Sequence, residues 1–317
     1  MKIFLDSLTP ELSRSLVLLG RIIPALEKLG CTFQYEITNA DVILVCNKND
    51  FEHRKSSIPK AIRPVHIHAI DKPTTVKMNR IRTDMCEAAD LVIWQCNWLR
   101  KKYKRLVGYR AKNEVVIHNA IDPAMFDGVK KMKKEYPKNV IMVAAWARNG
   151  IDRPRKRLRE MLAIAYEYAH ANEDVCFWVV GETNGLISKH KRVRFLGRIP
   201  FMEIAPILLS ADAMLNLTWF DNCPNAVVEA LAIGVPVVLN NETGAIELVR
   251  DDGGIIVPID KEVTKYRKGK KPPLFDKTPV IEALSVVLAN WPKFERPELH
   301  IDYAAKAYKA ALEGLLK

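Results

Sequence analysis

The chain has 317 residues, 49% hydrophobic and 27% charged, with a formal net charge of +12. That length exceeds one ordinary domain, the composition is that of a globular protein with a full core, and no apolar run reaches the ~20 residues that cross a bilayer. The start, MKIFLDSLTPELSR, lacks the apolar stretch and cleavage site of a signal peptide, so a cytoplasmic protein is expected.

In chain order, KIFL (2–5) reads as a buried strand. A helix is expected after it, with Thr9 as N-cap and Pro10 in the first turn, ending near Gly30. DVILVC (41–46), VHIH (65–68) and DLVIWQ (90–95) are further strand candidates, and helices are expected over 74–88 and 97–107. EVVIHN (114–119) closes this half. The lysine-rich stretch 120–138 reads as a linker, after which the alternation restarts. Strands are expected at 139–146, 175–181, 193–197, 213–218, 236–241 and 254–258, with helices near 156–171, 201–209 and 224–233. Strand–helix alternation of this kind implies parallel sheets with crossover helices, which bind ligands beyond the carboxyl ends of their strands. The fold class is therefore α/β with two Rossmann-like domains: 1–130, 131–297, and a terminal helix at 298–317 that returns to the first domain.

The six cysteines, Cys31, Cys46, Cys86, Cys96, Cys176 and Cys223, form no CxxC pair and no metal-like spacing, so buried free thiols are expected. The cations cluster at 100–105, 130–134, 153–157 and 265–271. Such clusters suit polyanions (nucleic acid, anionic lipid or phosphorylated small molecules), or else they are solvated surface around a phosphate site.

Residues 220–249, FDNCPNAVVEALAIGVPVVLNNETGAIELV, carry the densest chemistry. A polar turn bearing Asp221 leads into a helix that starts around Pro224 or Asn225 and holds Glu229. Helix N-termini suit phosphate or sugar oxygens, and a carboxylate accepts two hydrogen bonds from a vicinal diol. In VAAWARNGIDRPRKRL (143–158), Arg148 follows a strand and Lys156 opens a helix. Fixed cations of this sort stabilise concentrated negative charge such as that of a phosphate. Arg153, Arg155 and Arg157 are alternatives for that role. Gly181 ends a strand where a backbone can approach a nucleotide closely. In the first half, His68 and Asp71 stand at the carboxyl end of the 65–68 strand and are the candidates for sugar or acceptor contacts.

The 220–249 segment resembles the donor motif of glycosyltransferase family 4, in the branch where CPN precedes the helix and EALA is followed by G-x-PVV. VRFLG and the helix that follows resemble the same family, as do ADLVIWQ and VIHNAIDPAMF more loosely. Asp221 replaces the usual glutamate, Ala120 a glycine, and DSLTPELSR the glycine-rich first loop. The resemblance implies a GT-B fold and a retaining transfer from a nucleotide sugar, UDP- or GDP-linked, with no metal required. It implies that Glu229 holds the ribose, that Asp221 positions the sugar, and that Lys156 and Arg148 stabilise the leaving diphosphate. Arg198 and Ile199 would lie by the base, and Asn225, Thr243, Gly244 and Glu247 near the donor. The acceptor would be a glycan, a lipid-linked sugar or an anionic polymer, with peripheral membrane contact through the 97–107 helix. DNA carrying modified bases is an alternative acceptor, and a sugar- or polyanion-binding protein without catalysis is the rival of another class.

Overall fold

The computed structural model describes residues 1–7, 16–34, 36–46, 55–64, 73–110, 113–143, 154–183, 185–200, 203–265 and 272–317. Two compact units divide the chain. Met1–Asp122, Val263–Gly269 and Pro297–Lys317 form the first, and Pro123–Glu262 with Lys270–Arg296 form the second.

The first unit holds β1 (Lys2–Ser7), α1 (Leu16–Lys28), β2 (Thr32–Gln34), β3 (Val42–Cys46), β4 (Lys60–Arg63), α2 (Pro73–Glu87), β5 (Leu91–Trp94), α3 (Asn97–Val107) and β6 (Glu114–Val116). Its six strands are parallel in the order β2-β1-β3-β4-β5-β6. This is the flavodoxin-like winding with one strand added. The VILVC run of β3 is buried at every position, as a strand covered on both faces of a parallel sheet must be.

Between β3 and β5 the structure describes a strand at Lys60–Arg63, which the apolar runs of the sequence did not mark. KAIR carries two cations, yet all four of its residues are buried. Lys60 satisfies its ammonium on the carbonyls of Ser56 at 2.9 Å and Ile58 at 3.2 Å and pairs with Asp90 at 3.4 Å. Residues 65–72, with His68 and Asp71, lie outside the described residues.

The second unit holds β7 (Lys138–Val143), α4 (Leu158–Ala171), β8 (Val175–Val180), β9 (Val193–Gly197), α5 (Ala205–Ser210), β10 (Ala213–Asn216), α6 (Asn225–Ala232), β11 (Val237–Asn240), α7 (Ile246–Val249), β12 (Gly254–Val257) and α8 (Thr278–Asn290). The order is β12-β11-β10-β7-β8-β9, the Rossmann winding, which reverses direction between β7 and β10. Met161, Leu162, Ala165, Tyr168 and Ala169 of α4 share one core with Val280, Ala283, Leu284, Val287 and Leu288 of α8. The sequence reading had no helix at α8, although its start is marked: Asp276 Oδ1 accepts from the Thr278 amide at 3.0 Å and hydroxyl at 2.9 Å, and Pro279 follows.

The chain ends in α9 (Ile301–Glu313), which belongs to the first unit. Ile301, Ala304, Ala305, Tyr308 and Leu312 pack with Ile22, Ala25 and Leu26 of α1. Backbone bonds between Ile121 and the residues around His300 fix the approach, at 2.9 Å to the Leu299 carbonyl and 2.8 Å from the Ile301 amide. Burying an Ile or Leu side chain stabilises by about 1.5–3 kcal/mol, so this face is enough to hold the tail on the first unit.

Candidate active site in the second unit

β10 and β11 end in asparagines, and these build the turns that follow. Asn216 Oδ1 accepts from the Thr218 amide at 3.1 Å, and Asn240 Oδ1 accepts from the Glu242 amide at 2.7 Å. Asn240 Nδ2 donates to the Thr218 carbonyl at 2.8 Å, so one turn is tied to the other. Two cross-links then hold the turn Pro154–Lys156: the Trp219 amide donates to the Arg155 carbonyl at 2.7 Å, and Arg155 donates to the Phe220 carbonyl at 3.3 Å.

This bracing holds backbone in unfavourable places. Arg157 and Phe220 have φ of 52° and 56°, the left-handed region that side chains rarely adopt, and each sits beside a candidate residue. Such conformations cost on the order of 1–3 kcal/mol and persist where the surroundings over-determine them. The outcome is a short contact: Lys156 Nζ lies 2.7 Å from Asp221 Oδ2, with side chains 20% and 19% exposed. Asp221 Oδ1 also accepts from the Asn222 amide at 2.9 Å. The pair sits beyond the carboxyl ends of β7 and β10, where the sheet order reverses and doubly wound sheets take their ligands.

Thr243 and Gly244 join the same turn through the Asp221 carbonyl, which accepts from Thr243 Oγ1 at 3.0 Å and the Gly244 amide at 2.7 Å. Glu247 is half-buried in α7. Asn225 is the half-buried first residue of α6, whose N-cap, Pro224, offers no side-chain bond to the first turn. Glu229 lies within α6 at 8% exposure, a buried carboxylate. Gly181 closes β8 with φ of 116° and donates to the Gly197 carbonyl at 2.7 Å. Arg198 is exposed and Ile199 half-buried just beyond β9, so these three stand on the far side of β7 from Asp221.

Arg148 and Arg153 lie outside the described residues. Arg157 is ruled out as a diphosphate ligand. It is 0% exposed and forms a two-pronged pair with Asp260, at 2.6 Å on each side, while also donating to the Pro273 carbonyl at 3.0 Å. Sequence reasoning missed Asn216, Asn240 and Glu242, the last 2% exposed. The available signal was an asparagine ending each of two apolar runs, since a short amide side chain bonds the backbone two residues on.

The basic α3 helix is less available than its composition suggested. Lys102 is 1% exposed, donates to the Val263 carbonyl at 2.9 Å and lies 5.2 Å from the Trp98 ring centre, and Arg100 and Lys104 both pair with Glu114. All six cysteines are buried free thiols. Burial pushes Cys176 up to about 11, which keeps it in the unreactive thiol form. Among the described residues no three His, Cys, Asp or Glu side chains gather as metal ligands, and no helix is long and apolar enough to cross a membrane.

Residues 138–266 match the family model described as glycosyl transferases group 1, a span that lies almost wholly in the second unit. No curated protein matches the chain by sequence. Among solved structures, HepE of Anabaena in complex with UDP is 15% identical, with a TM-score of 0.63 over 100% of this chain and 97% of that one. WaaG, a glycosyltransferase involved in lipopolysaccharide biosynthesis, is 13% identical, with a TM-score of 0.60 over 100% and 97%. Sucrose-phosphate synthase from Thermosynechococcus elongatus is 12% identical, with a TM-score of 0.58 over 100% and 84%. At such identities the structural likeness establishes the GT-B fold, and the family match adds the chemistry of the second unit. That unit is a group 1 glycosyl transferase domain, and the protein is a glycosyltransferase on a GT-B fold.

Proposed function

We propose that the enzyme moves a sugar, with retention of configuration, from a nucleoside-diphosphate donor to a hydroxyl of a glycan, lipid-linked sugar or polymer, in the manner of family 4. The observation that carries this reading is the Lys156–Asp221 pair, 2.7 Å apart at the reversal point of the second sheet. Departure of a nucleoside diphosphate builds negative charge, and a preorganised ammonium stabilises it without reorganisation. Lys156 has three donors, so it can hold Asp221 and a phosphate oxygen together. Asp221 then faces the transferred sugar, and Glu229, already out of solvent, is suited to accept from the ribose diol. A fixed cation does here what a metal does elsewhere, so no metal is assigned. UDP is the favoured nucleotide because HepE has been solved with UDP and with UDP and glucose.

The test is donor turnover. Wild type incubated with UDP- and GDP-sugars is expected to release one nucleoside diphosphate slowly even without acceptor. Lys156→Ala is expected to lower that rate by about 10²–10³-fold, the usual effect of losing one charge-stabilising donor. Wild type that consumes none of these donors, or a Lys156→Ala enzyme that keeps the full rate, would count against the reading. Nuclear magnetic resonance of the product's anomeric carbon decides retention.

A further inference from the structure

In the first unit the carboxyl ends of β4, β5 and β6 carry a polar layer that the donor site does not use. Arg63 is the last residue of β4, and its Nη2 donates to Oδ1 of Asn119, three residues past β6. β5 lies between those strands. Two strand spacings are roughly 10 Å, so the guanidinium must extend across the end of β5. Gln95, just after β5, donates from Nε2 to the Pro64 carbonyl at 3.2 Å, and its own carbonyl accepts from His118 Nδ1 at 2.8 Å. A carbonyl only accepts, so Nδ1 of His118 carries a proton, and in the neutral ring Nε2 is left as an acceptor.

This layer holds a buried cation without a counter-charge, a condition it shares with Arg192 of the second unit, which is 7% exposed and donates to the Ala169 carbonyl. Arg63 is 4% exposed, its Nε is enclosed without a partner, and its one hydrogen bond goes to a neutral amide. Among the described residues no carboxylate pairs with it. A guanidinium cannot shed its proton, and a cation taken out of water without a counter-charge is destabilising. What sets Arg63 apart is its place at the carboxyl end of a parallel strand, where such sheets take their ligands, so that a ligand anion can supply the missing charge.

We propose that this layer is an anion subsite for the acceptor: Arg63 takes a phosphate or carboxylate borne by the acceptor, Asn119 holds the guanidinium over β5, and His118 Nε2 accepts from a neighbouring hydroxyl. The acceptor class is then a sugar phosphate or a uronic acid. This rests on the transferase reading, in which the second unit holds the donor and the first is left for the acceptor.

Thermal unfolding of wild type, Arg63→Met and Lys156→Ala with inorganic phosphate, glucuronate, neutral glucose or UDP tests it. Phosphate or glucuronate is expected to raise the wild-type Tm by about 2–4 °C, to do the same for Lys156→Ala, and to leave Arg63→Met unmoved. The larger of the two anion shifts names the group recognised, and glucose alone is expected to do little. Without anion, Arg63→Met is expected to melt no lower than wild type, since it removes an uncompensated charge. An anion shift that survives in Arg63→Met, wild type unmoved by either anion, or an Arg63→Met protein markedly less stable in anion-free buffer would each overturn the subsite. The UDP arm is separate: a UDP shift retained in Arg63→Met leaves the donor reading standing whatever the anions do, and its loss in every protein would sink that reading alone.

Discussion

Arg157 in the second unit and Arg63 in the first are both almost wholly out of solvent, at 0% and 4% exposure, on opposite terms. Arg157 meets Asp260 with two parallel bonds of 2.6 Å and lies 4.8 Å from the Phe275 ring centre. Arg63 meets an amide oxygen and keeps an unpartnered Nε. The first arrangement has its charge balanced within the unit, although the Arg157 Nε is enclosed without a partner just as the Arg63 Nε is. The second is complete only with something added. Burial alone therefore does not separate a structural arginine from a binding one; counter-charge and place in the fold must be read together, since Arg192, also buried and also without a carboxylate among the described residues, stands at the amino end of β9. Arg296 is an intermediate case, 3% exposed on its side chain but paired to an Asp252 whose side chain is 48% exposed.

The sharpest way to break this comparison is to make Arg157 resemble Arg63. Asp260→Ala leaves a buried guanidinium without its carboxylate, and is expected to destabilise the second unit by about 3–5 kcal/mol in urea unfolding. A loss below about 1 kcal/mol would show that Arg157 does not depend on the pair, and would remove the ground for reading Arg63 as incomplete. The smallest effect belongs to Arg296. Its hydrogen bond to Asp252 holds that carboxyl below the usual carboxylate range. A depressed folded-state value contributes stability that is present above the unfolded pKa, near 4, and is lost as pH falls through the folded one. Because Asp252 is half in solvent, Asp252→Asn is expected to cost less than about 1 kcal/mol at pH 7. The gap to wild type should close as pH falls through the depressed folded-state value, and a gap that widened on acidification would contradict the pairing.

Periodicity and apolar runs made most of this architecture readable: β3, β8, β10 and β11 are short buried runs, and the 220–249 segment announced its turn and helix. What escaped were elements whose local signal opposes their place. β4 carries Lys60 and Arg63 in a wholly buried strand, because a long side chain can bury its stem while its charge finds carbonyls or a ligand. β2 is only three residues long and sits at a sheet edge. At the candidate site, Asp221 and Glu229 were legible because turn and helix carry them locally. The fate of Arg157 was not: its partner is 103 residues away, and among four neighbouring cations only the fold decides which is locked inward and which meets Asp221.

In the proposed reading, the second unit binds a nucleoside diphosphate through Lys156, Asp221 and Glu229. Its most direct test is a thermal-shift panel with UDP, GDP, ADP and CMP on wild type and Glu229→Ala. Ligand that binds only the native state raises Tm with occupancy, so one diphosphate, UDP before GDP, is expected to stabilise wild type by several degrees and to leave Glu229→Ala unmoved. Wild type that responds to none of the four at millimolar concentration, or a variant that responds as wild type does, would contradict the account.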